Sequence, residues 1–183
     1  MPTIIEVLSQ VKVIHTTTPS MQVEQTVAHE LQTITGHRVD IKHSAGLAAV
    51  PGSIRVAVVR EKKKWQSIHA GLDESKDWMM VRAKSGSGIE LLASRPHLLY
   101  YLYTMIAEDW KGMAVEEFAK GKIVHPSFQN LRPVYDLFLT QHARTVRNFD
   151  REEHLRNLAR LGFSHAEVNG LAFAVPFERG PQG

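Results

Sequence analysis

The sequence predicts an α+β fold, in which a mixed β-sheet carries helices on one face and is followed by a single β-α-β unit. Three observations predict it. Short apolar runs and segments with helical periodicity follow one another along residues 1–122. Two of these runs flank a Gly/Ser turn at residues 84–88, which is typical of a hairpin. Near the C-terminus, a helix with one apolar stripe lies between two further strand-like runs.

The first strand and helix are predicted from alternation and from capping residues. Residues 4–16 alternate loosely between apolar and polar side chains, which predicts a long strand. Thr18 has the chemistry of a helix N-cap, Pro19 suits the first helical position, and Gly36 ends the helix. The apolar stripe between them consists of Val23, Val27, Leu31 and Ile34.

Four more strands and a second helix complete the first segment. The strands are predicted at residues 37–43, 54–59, 78–83 and 89–93, the last two as the hairpin. Residues 60–76 are polar and are predicted to face solvent. Ser94 then caps a helix that ends near Gly112. Its apolar stripe consists of Leu98, Leu102, Met105 and Ile106.

The character of the chain changes after Lys122, which predicts a first domain at residues 1–122 and a second segment at residues 123–183. Residues 125–127 are predicted as a linker, and the apolar run 134–139, interrupted by Asp136, as a strand.

A helix and a further strand follow in this second segment. Asp150 and Glu153 predict the capping box of a helix that Gly162 ends. Its inner face is predicted to carry Leu155, Leu158 and Leu161. With a strand at residues 165–169, this is the repeating unit of an α/β barrel or doubly wound sheet. One unit cannot close a barrel, so a truncated second domain is expected.

Two groups of residues carry a resemblance to a known family. Residues 77–81, 88–94 and 99–103 (Asp77-Trp78-Met79-Met80-Val81, a strand ending at Ser94, and Leu99-Tyr100-Tyr101-Leu102-Tyr103) resemble the end of the non-catalytic N-terminal domain of β-hexosaminidases and α-glucuronidases. Residues 131–136, 149–150 and 161–169 are similar to the first strand, first helix and second strand of the barrel in the same enzymes.

The resemblance implies an accessory domain followed by the start of a (β/α)8 barrel. The chain is then the N-terminal, non-catalytic region of a glycoside hydrolase, inactive alone, and its partner is a carbohydrate bound by the full-length enzyme. By the same resemblance, Arg132 and Asn169 would hydrogen-bond sugar hydroxyls from the ends of barrel strands. Asp136 is a third substrate-binding candidate, or else it holds a strand end or pairs with Arg132.

No catalytic residue is assigned within the chain. Glycoside hydrolysis requires two carboxylates that face each other across the scissile bond. Glu152 and Glu153 are adjacent at a helix start and serve the cap and the helix dipole, and Glu167 lies in a predicted strand. The carboxylates of the implied enzyme are expected on later strands.

Neither a metal nor another cofactor is predicted. The chain has no cysteine, which excludes disulfides, thiolate zinc sites and a cysteine nucleophile. His29 and Glu30 are followed by a second histidine only at His37, beyond Gly36, whereas helical zinc sites place two histidines four residues apart. A zinc peptidase is therefore only a third option.

Binding to nucleic acid or to membrane is not predicted either. The basic run 62–64 stands beside Trp65 but is flanked by acidic residues, as on a solvated face, and the formal net charge is only +3. The Gly/Ser turn at residues 86–88 lies between two strands, so it is not expected to cradle phosphate. No apolar run approaches the ~20 residues of a membrane span, and no signal peptide is evident, so a cytoplasmic location is expected.

A different class of function is the alternative. The chain would then be a free-standing α/β binding or scaffolding domain that oligomerises through its C-terminal segment. The apolar residues available for this association are Leu171, Phe173, Val175 and Phe177.

Overall fold

A computed structural model describes residues 1–17, 22–44, 50–83, 88–127 and 150–164. These ranges contain five α-helices and six β-strands. The helices are α1 (Ile4–Leu8), α2 (Gln22–Thr35), α3 (Trp65–Ile68), α4 (Pro96–Ala107) and α5 (Arg151–Arg160). The strands are β1 (Val13–Thr16), β2 (Asp40–His43), β3 (Ser53–Val58), β4 (Met79–Ala83), β5 (Ile89–Ala93) and β6 (Lys122–Val124). None of the helices in these ranges is long and apolar enough to cross a membrane.

The chain divides into two compact units, residues 1–129 and residues 130–183. The first unit contains one six-stranded sheet in the order β2-β1-β3-β5-β4-β6. Strands β2, β1, β3 and β5 run parallel, whereas β4 is antiparallel to both β5 and β6. The predicted α+β class and mixed sheet are thus confirmed. The assignment of the two segments to an accessory domain and the start of a barrel stays a prediction.

The two faces of the sheet bury different sets of side chains. On one face Val56, Leu91 and Val81 are cross-strand neighbours and fully buried. Helix α2 packs on β1 and β3, helix α4 packs on β3, β4 and β5, and the two helices contact each other. Because side chains alternate along a strand, the next residues point to the opposite face, where the short helix α3 lies. That second cluster is formed by Ala57, Val59, Trp65, Leu72, Trp78, Met80 and Leu92.

Several predicted elements are confirmed. The hairpin is present as β4 and β5, with Met80 opposite Leu92. Helix α2 and strands β2 and β3 lie within or next to their predicted ranges. Asp150 caps α5 by accepting a hydrogen bond from the backbone N–H of Glu153 at 3.0 Å. Gly162 follows this helix with a φ of 85°, a conformation that glycine adopts at low energy.

The strand predicted over residues 4–16 is wrong in its first half. Residues 4–8 form α1, because Thr3 and Glu6 close a capping box in which each side chain binds the other residue's backbone N–H. Only Val13–Thr16 pairs with the sheet. The paired part of the strand is therefore four residues long.

The predictions for residues 60–76 and for Ser94 are also wrong. The polar segment folds onto the sheet and buries Trp65 and Leu72. Arg95, not Ser94, is the N-cap of α4, and the helix ends at Ala107 rather than near Gly112. The Ser94 hydroxyl instead accepts a hydrogen bond from the backbone N–H of Trp78 at 3.0 Å.

Strand β6 was not predicted. It begins at Lys122 and pairs with β4, and Ile123 packs against the second-face cluster. The first compact unit, residues 1–129, thus includes β6.

In the second unit, Leu155 and Leu161 were predicted to be on an inner face. They are 39% and 65% exposed, whereas Leu158 is half-buried. The strands predicted at residues 134–139 and 165–169 lie outside the described residues.

Candidate functional site

The three predicted substrate-binding residues, Arg132, Asp136 and Asn169, lie outside the described residues. So do the four apolar residues of the C-terminal segment to which the alternative assigns oligomerisation. The structure therefore places none of them, and their roles stay predictions. The site described below is formed by other residues, all within the first unit.

A cleft of about 320 Å³ lies where parallel strands β3 and β5 end and helix α4 begins. Ligands of sheets with parallel strands gather at this carboxyl edge, because the loops that follow the strands meet there. The cleft is lined by Arg60, Lys62, Trp65, Asp77, Ser94, Arg95 and Pro96. These residues follow β3, form the turn before α3 and its first residue, precede β4, follow β5 and begin α4.

Asp77 is held in place at one side of the cleft. Its Oδ1 atom accepts hydrogen bonds from the Ser94 hydroxyl at 3.2 Å and from Arg95 Nε at 3.1 Å. The hairpin register makes this arrangement, because the backbone N–H of Ser94 donates to the carbonyl of Trp78 at 2.9 Å. The Asp77 side chain is 10% exposed, whereas that of Arg95 is 60% exposed. The carboxylate is thus a fixed part of the wall and the guanidinium extends into solvent.

Trp65 provides the rigid wall of the cleft. Its indole N–H donates to the Val59 carbonyl at 2.9 Å, and its ring meets that of Trp78 edge-to-face at 5.6 Å between centroids. The Lys62 ammonium lies 5.7 Å from the Trp65 ring and donates to the Glu74 carbonyl at 2.8 Å. A cation above an aromatic face is attracted by the ring quadrupole. These contacts fix both side chains at the cleft.

The lining of the cleft is cationic. Arg60, Lys62 and Arg95 carry three positive charges, and the carboxylate of Asp77 carries one negative charge. Arg60 is exposed and makes no hydrogen bond or ion pair with another described residue. The chemistry that this arrangement supports is the binding of an anion.

A row of polar residues crosses the second face of the sheet. Adjacent strands bring His15, Arg55, Glu90 and Arg82 into register, from β1 through β3 and β5 to β4. Glu90 accepts a hydrogen bond from Arg82 Nε at 2.6 Å, and Arg82 Nη1 donates to the Ile68 carbonyl at 2.9 Å. This pair is therefore satisfied within the described part of the chain.

Arg55, in the same row, is not satisfied in this way. It is 2% exposed, and none of its three guanidinium nitrogens has a hydrogen-bond partner among the described residues. Burial lowers the pKa of Arg55, because the cation loses its hydration, while the charges of Glu90 and Glu24 oppose that effect. The Nδ1 atom of the neighbouring His15 is also buried and has no hydrogen-bond partner among the described residues.

Glu24 is a buried carboxylate with a structural role. It lies in the first turn of α2, is fully buried, and accepts hydrogen bonds from the backbone N–H groups of Thr17 at 2.7 Å and Val58 at 2.8 Å. The Thr17 hydroxyl also donates to it at 2.6 Å. Glu24 thus joins the ends of β1 and β3 to the helix. The hydrophobic stripe predicted for α2 gave no sign of this buried charge.

The two histidines considered for zinc do not form a metal site in the described part of the chain. His37 lies beyond the end of α2, and its two ring nitrogens face the carbonyl oxygens of Thr35 at 2.9 Å and Val11 at 2.8 Å. His29 is exposed on α2. Within the described ranges, no group of three or more side chains is placed to hold a metal ion.

Comparison with known proteins adds no family to this description. No protein-family model matches the chain, and no curated protein matches it at a significant level.

The cleft was not predicted from the sequence. Residues 60–76 were interpreted as a solvated face, although Trp65, Ile68 and Leu72 have the spacing of an apolar helical stripe. That stripe was the signal that could have found the wall. The contact between Asp77 and Ser94 depends on pairing across the hairpin, and neither residue is distinguished by its local sequence.

Proposed function

We propose that this chain is the N-terminal, non-catalytic region of a carbohydrate-active glycoside hydrolase. In this proposal the first unit is an accessory domain that supports the catalytic barrel. Residues 123–183 contribute the first β-α-β stretch of that barrel. The paired carboxylates of the reaction belong to later strands. The proposal rests on the resemblance of residues 77–103 and 131–169 to β-hexosaminidases and α-glucuronidases.

The observation that best supports a non-catalytic first unit is the way three of its buried or half-buried carboxylates are used. Glu24 binds two backbone N–H groups, Glu90 binds Arg82, and Asp77 binds Ser94 and Arg95. Each carboxylate is tied to the fold by charge-assisted hydrogen bonds. A general acid and its partner carboxylate must instead face each other across a substrate.

The exposed leucines of α5 also support the proposal. Leu155 and Leu161 are 39% and 65% exposed on a helix whose other side carries ion pairs between Glu152 and Arg156 and between Glu153 and Arg160. Exposed leucines beside such a charged side suit a helix that packs against further structure. In the proposal, that structure is the rest of the barrel.

Arg132, Asp136 and Asn169 keep their proposed places in the substrate site. The Arg132 guanidinium and the Asn169 amide would donate to sugar hydroxyls, and Asp136 would accept from a hydroxyl or orient Arg132. These roles deepen the proposal and are tested with it.

The test is hydrolysis of aryl-glycosides by this chain and by the protein encoded by its complete reading frame. We expect no turnover by the 183-residue chain and turnover by a longer protein that carries further strand–helix repeats. In that longer protein, Arg132→Ala and Asn169→Ala should lower kcat/KM by about tenfold or more, because each removes hydrogen bonds to a substrate. Asp77→Asn, in the first unit, is the matched control and should retain activity.

Robust turnover by the 183-residue chain, lost on mutating a residue within it, would overturn the proposal. So would a reading frame that adds no strand–helix repeat with carboxylates.

The same exposed leucines favour one second candidate, a binding or scaffolding domain that self-associates. In that case Leu155 and Leu161 would be covered by a second copy. Sedimentation equilibrium separates the two, because only this candidate predicts an oligomer that Leu155→Lys dissociates.

A further inference from the structure

We propose that the cleft at the ends of β3 and β5 is a binding site for a phosphate monoester of a small, single-ring compound. Arg60, Lys62 and Arg95 would hold the phosphoryl group, and the ring would lie against Pro96 at the start of α4. This activity is separate from glycoside hydrolysis and does not depend on the proposed function.

Unused hydrogen-bond donors are the first argument. Arg60 is exposed and makes no hydrogen bond with another described residue. Arg95 uses only Nε, toward Asp77, and its two Nη groups donate to no other described residue. Lys62 spends one of its three N–H donors on the Glu74 carbonyl. Several charged donors therefore border one cleft.

The arrangement of these donors favours a tetrahedral anion. A carboxylate offers two oxygens in one plane and is matched by a single bidentate arginine. Here the cations come from three separate places, namely the end of β3, the turn before α3 and the N-cap of α4. A phosphoryl group offers three oxygens in different directions, so it can accept from all three.

The start of α4 adds to this field. The helix has twelve residues, Pro96 stands in its first turn, and its N-cap Arg95 makes no capping hydrogen bond through its side chain. The positive end of the helix dipole is thus directed to the same edge. It strengthens a site that the three side chains already form.

Asp77 positions the site without cancelling its charge. Its Oδ1 atom accepts hydrogen bonds from the Ser94 hydroxyl and from Arg95 Nε. The second hydrogen bond fixes the orientation of the Arg95 guanidinium. The lining retains two positive charges in excess, enough to neutralise a phosphate monoester dianion.

The size of the cleft limits the ligand. Its volume of about 320 Å³ is at the lower end of the range of small-molecule sites, roughly 300 to 1,000 Å³. A phosphoryl group and one ring fill such a space, and a dinucleotide would exceed it. The ring would lie against the half-buried Pro96, whereas Trp65 is only 3% exposed and closes the cleft from the core side.

The test is isothermal titration calorimetry of the chain with phenyl phosphate, inorganic phosphate and acetate at constant ionic strength. We expect phenyl phosphate to bind most tightly, because its ring contacts Pro96 in the cleft lining. Inorganic phosphate should bind next most tightly, and the Kd of acetate should be at least about tenfold higher than that of inorganic phosphate. Arg60→Gln should weaken both phosphate ligands by about tenfold, since one charged contact of this kind contributes about 1.4 kcal/mol.

Lys63→Gln is the matched control. Lys63 is an exposed cation in the same basic run but outside the cleft lining, so its loss should change Kd by less than about twofold. Both variants alter exposed side chains, and their circular dichroism should equal that of the parent.

Three outcomes would overturn the inference. The first is the absence of phosphate binding at concentrations up to about 10 mM. The second is equal weakening by Arg60→Gln and Lys63→Gln, which would indicate a general charge effect. The third is acetate binding as strong as that of phosphate, which would reject the tetrahedral anion.

Discussion

Arg55 is a cation that is buried in the sheet. None of its guanidinium nitrogens has a hydrogen-bond partner among the described residues. Its neighbour Glu90 is engaged with Arg82. A buried charge without a hydrogen-bonded partner destabilises the folded state, and its lowered pKa expresses the same effect, because folding disfavours the charged form.

Replacing Arg55 with an apolar residue of similar length should therefore stabilise the protein. We expect Arg55→Met to raise the free energy of unfolding, by up to about 1 to 4 kcal/mol, the range found when buried ion pairs are replaced by apolar residues. Urea unfolding followed by circular dichroism measures it. Arg82→Met is the control. It leaves Glu90 without its partner and should destabilise by about 1 to 3 kcal/mol. Equal destabilisation by both variants would contradict the argument.

Glu6 gives a residue-scale prediction for pH. Hydrogen bonds from the backbone N–H and then the hydroxyl of Thr3 lower the pKa of Glu6. A carboxyl with a lowered pKa stabilises the fold above its unfolded pKa, and that contribution is lost as the pH falls through the folded pKa. Thr3→Ala removes only the hydroxyl, so the pKa of Glu6 should rise part of the way to its ordinary value. An NMR titration of Glu6 checks this, and an unchanged pKa would contradict it.

At the scale of elements, the segment between β3 and β4 makes a larger contribution than its composition suggests. Most of its residues are polar, yet Trp65 and Leu72 complete the core on the second face. Trp65 also donates its indole N–H to Val59. The segment therefore belongs to the folded core.

Truncating Trp65 should show this. We expect Trp65→Ala to lower the free energy of unfolding by about 3 to 5 kcal/mol, as for other buried aromatic residues. Trp65→Phe keeps most of the apolar volume and should lower the free energy of unfolding by less than Trp65→Ala does. Thermal and urea unfolding measure both. Lys63→Ala, an exposed change in the same segment, should stay within about 0.5 kcal/mol of the parent. A loss below 1 kcal/mol for Trp65→Ala would mean that the segment is not part of the core.

The elements also show how far sequence reasoning reaches. The hairpin and α2 follow from periodicity and turn residues, which are local signals. Helix α1 was missed because residues 4–16 contain enough β-branched residues to suggest a strand, although Thr3 and Glu6 carry the spacing of a capping box.

The candidate site could not be predicted from the sequence, for a different reason. Arg60, Asp77 and Arg95 are brought together by strand order and hairpin register. Such pairings between distant residues are decided by tertiary packing and leave no local pattern in the sequence.

At the scale of the whole molecule, the first compact unit includes β6. This strand pairs with β4, and Ile123 lies against the buried Met80 and its cluster. The core of the sheet should therefore be retained by residues 1–129 and weakened when β6 is removed.

A chain of residues 1–129 should unfold in one cooperative transition. A chain of residues 1–121 should have a lower midpoint, because β4 becomes an unpaired edge strand. Thermal unfolding by circular dichroism compares the two. Equal midpoints would show that β6 does not stabilise the unit, and loss of cooperativity in residues 1–129 would show that the unit depends on residues beyond it.

The position of β3 in the middle of the sheet has a consequence for biosynthesis. Its partners are far away in the chain, since Ile54 lies between Ile14 and Ile89. During translation, one edge of β1 stays unpaired until β3 has been synthesised. The apolar β3 in turn has an unpaired edge until β5 has been synthesised. Nascent chains that expose unpaired, hydrophobic strand edges aggregate readily. We expect the yield of folded protein in cells to depend on chaperones that bind the nascent chain until β5 has been synthesised.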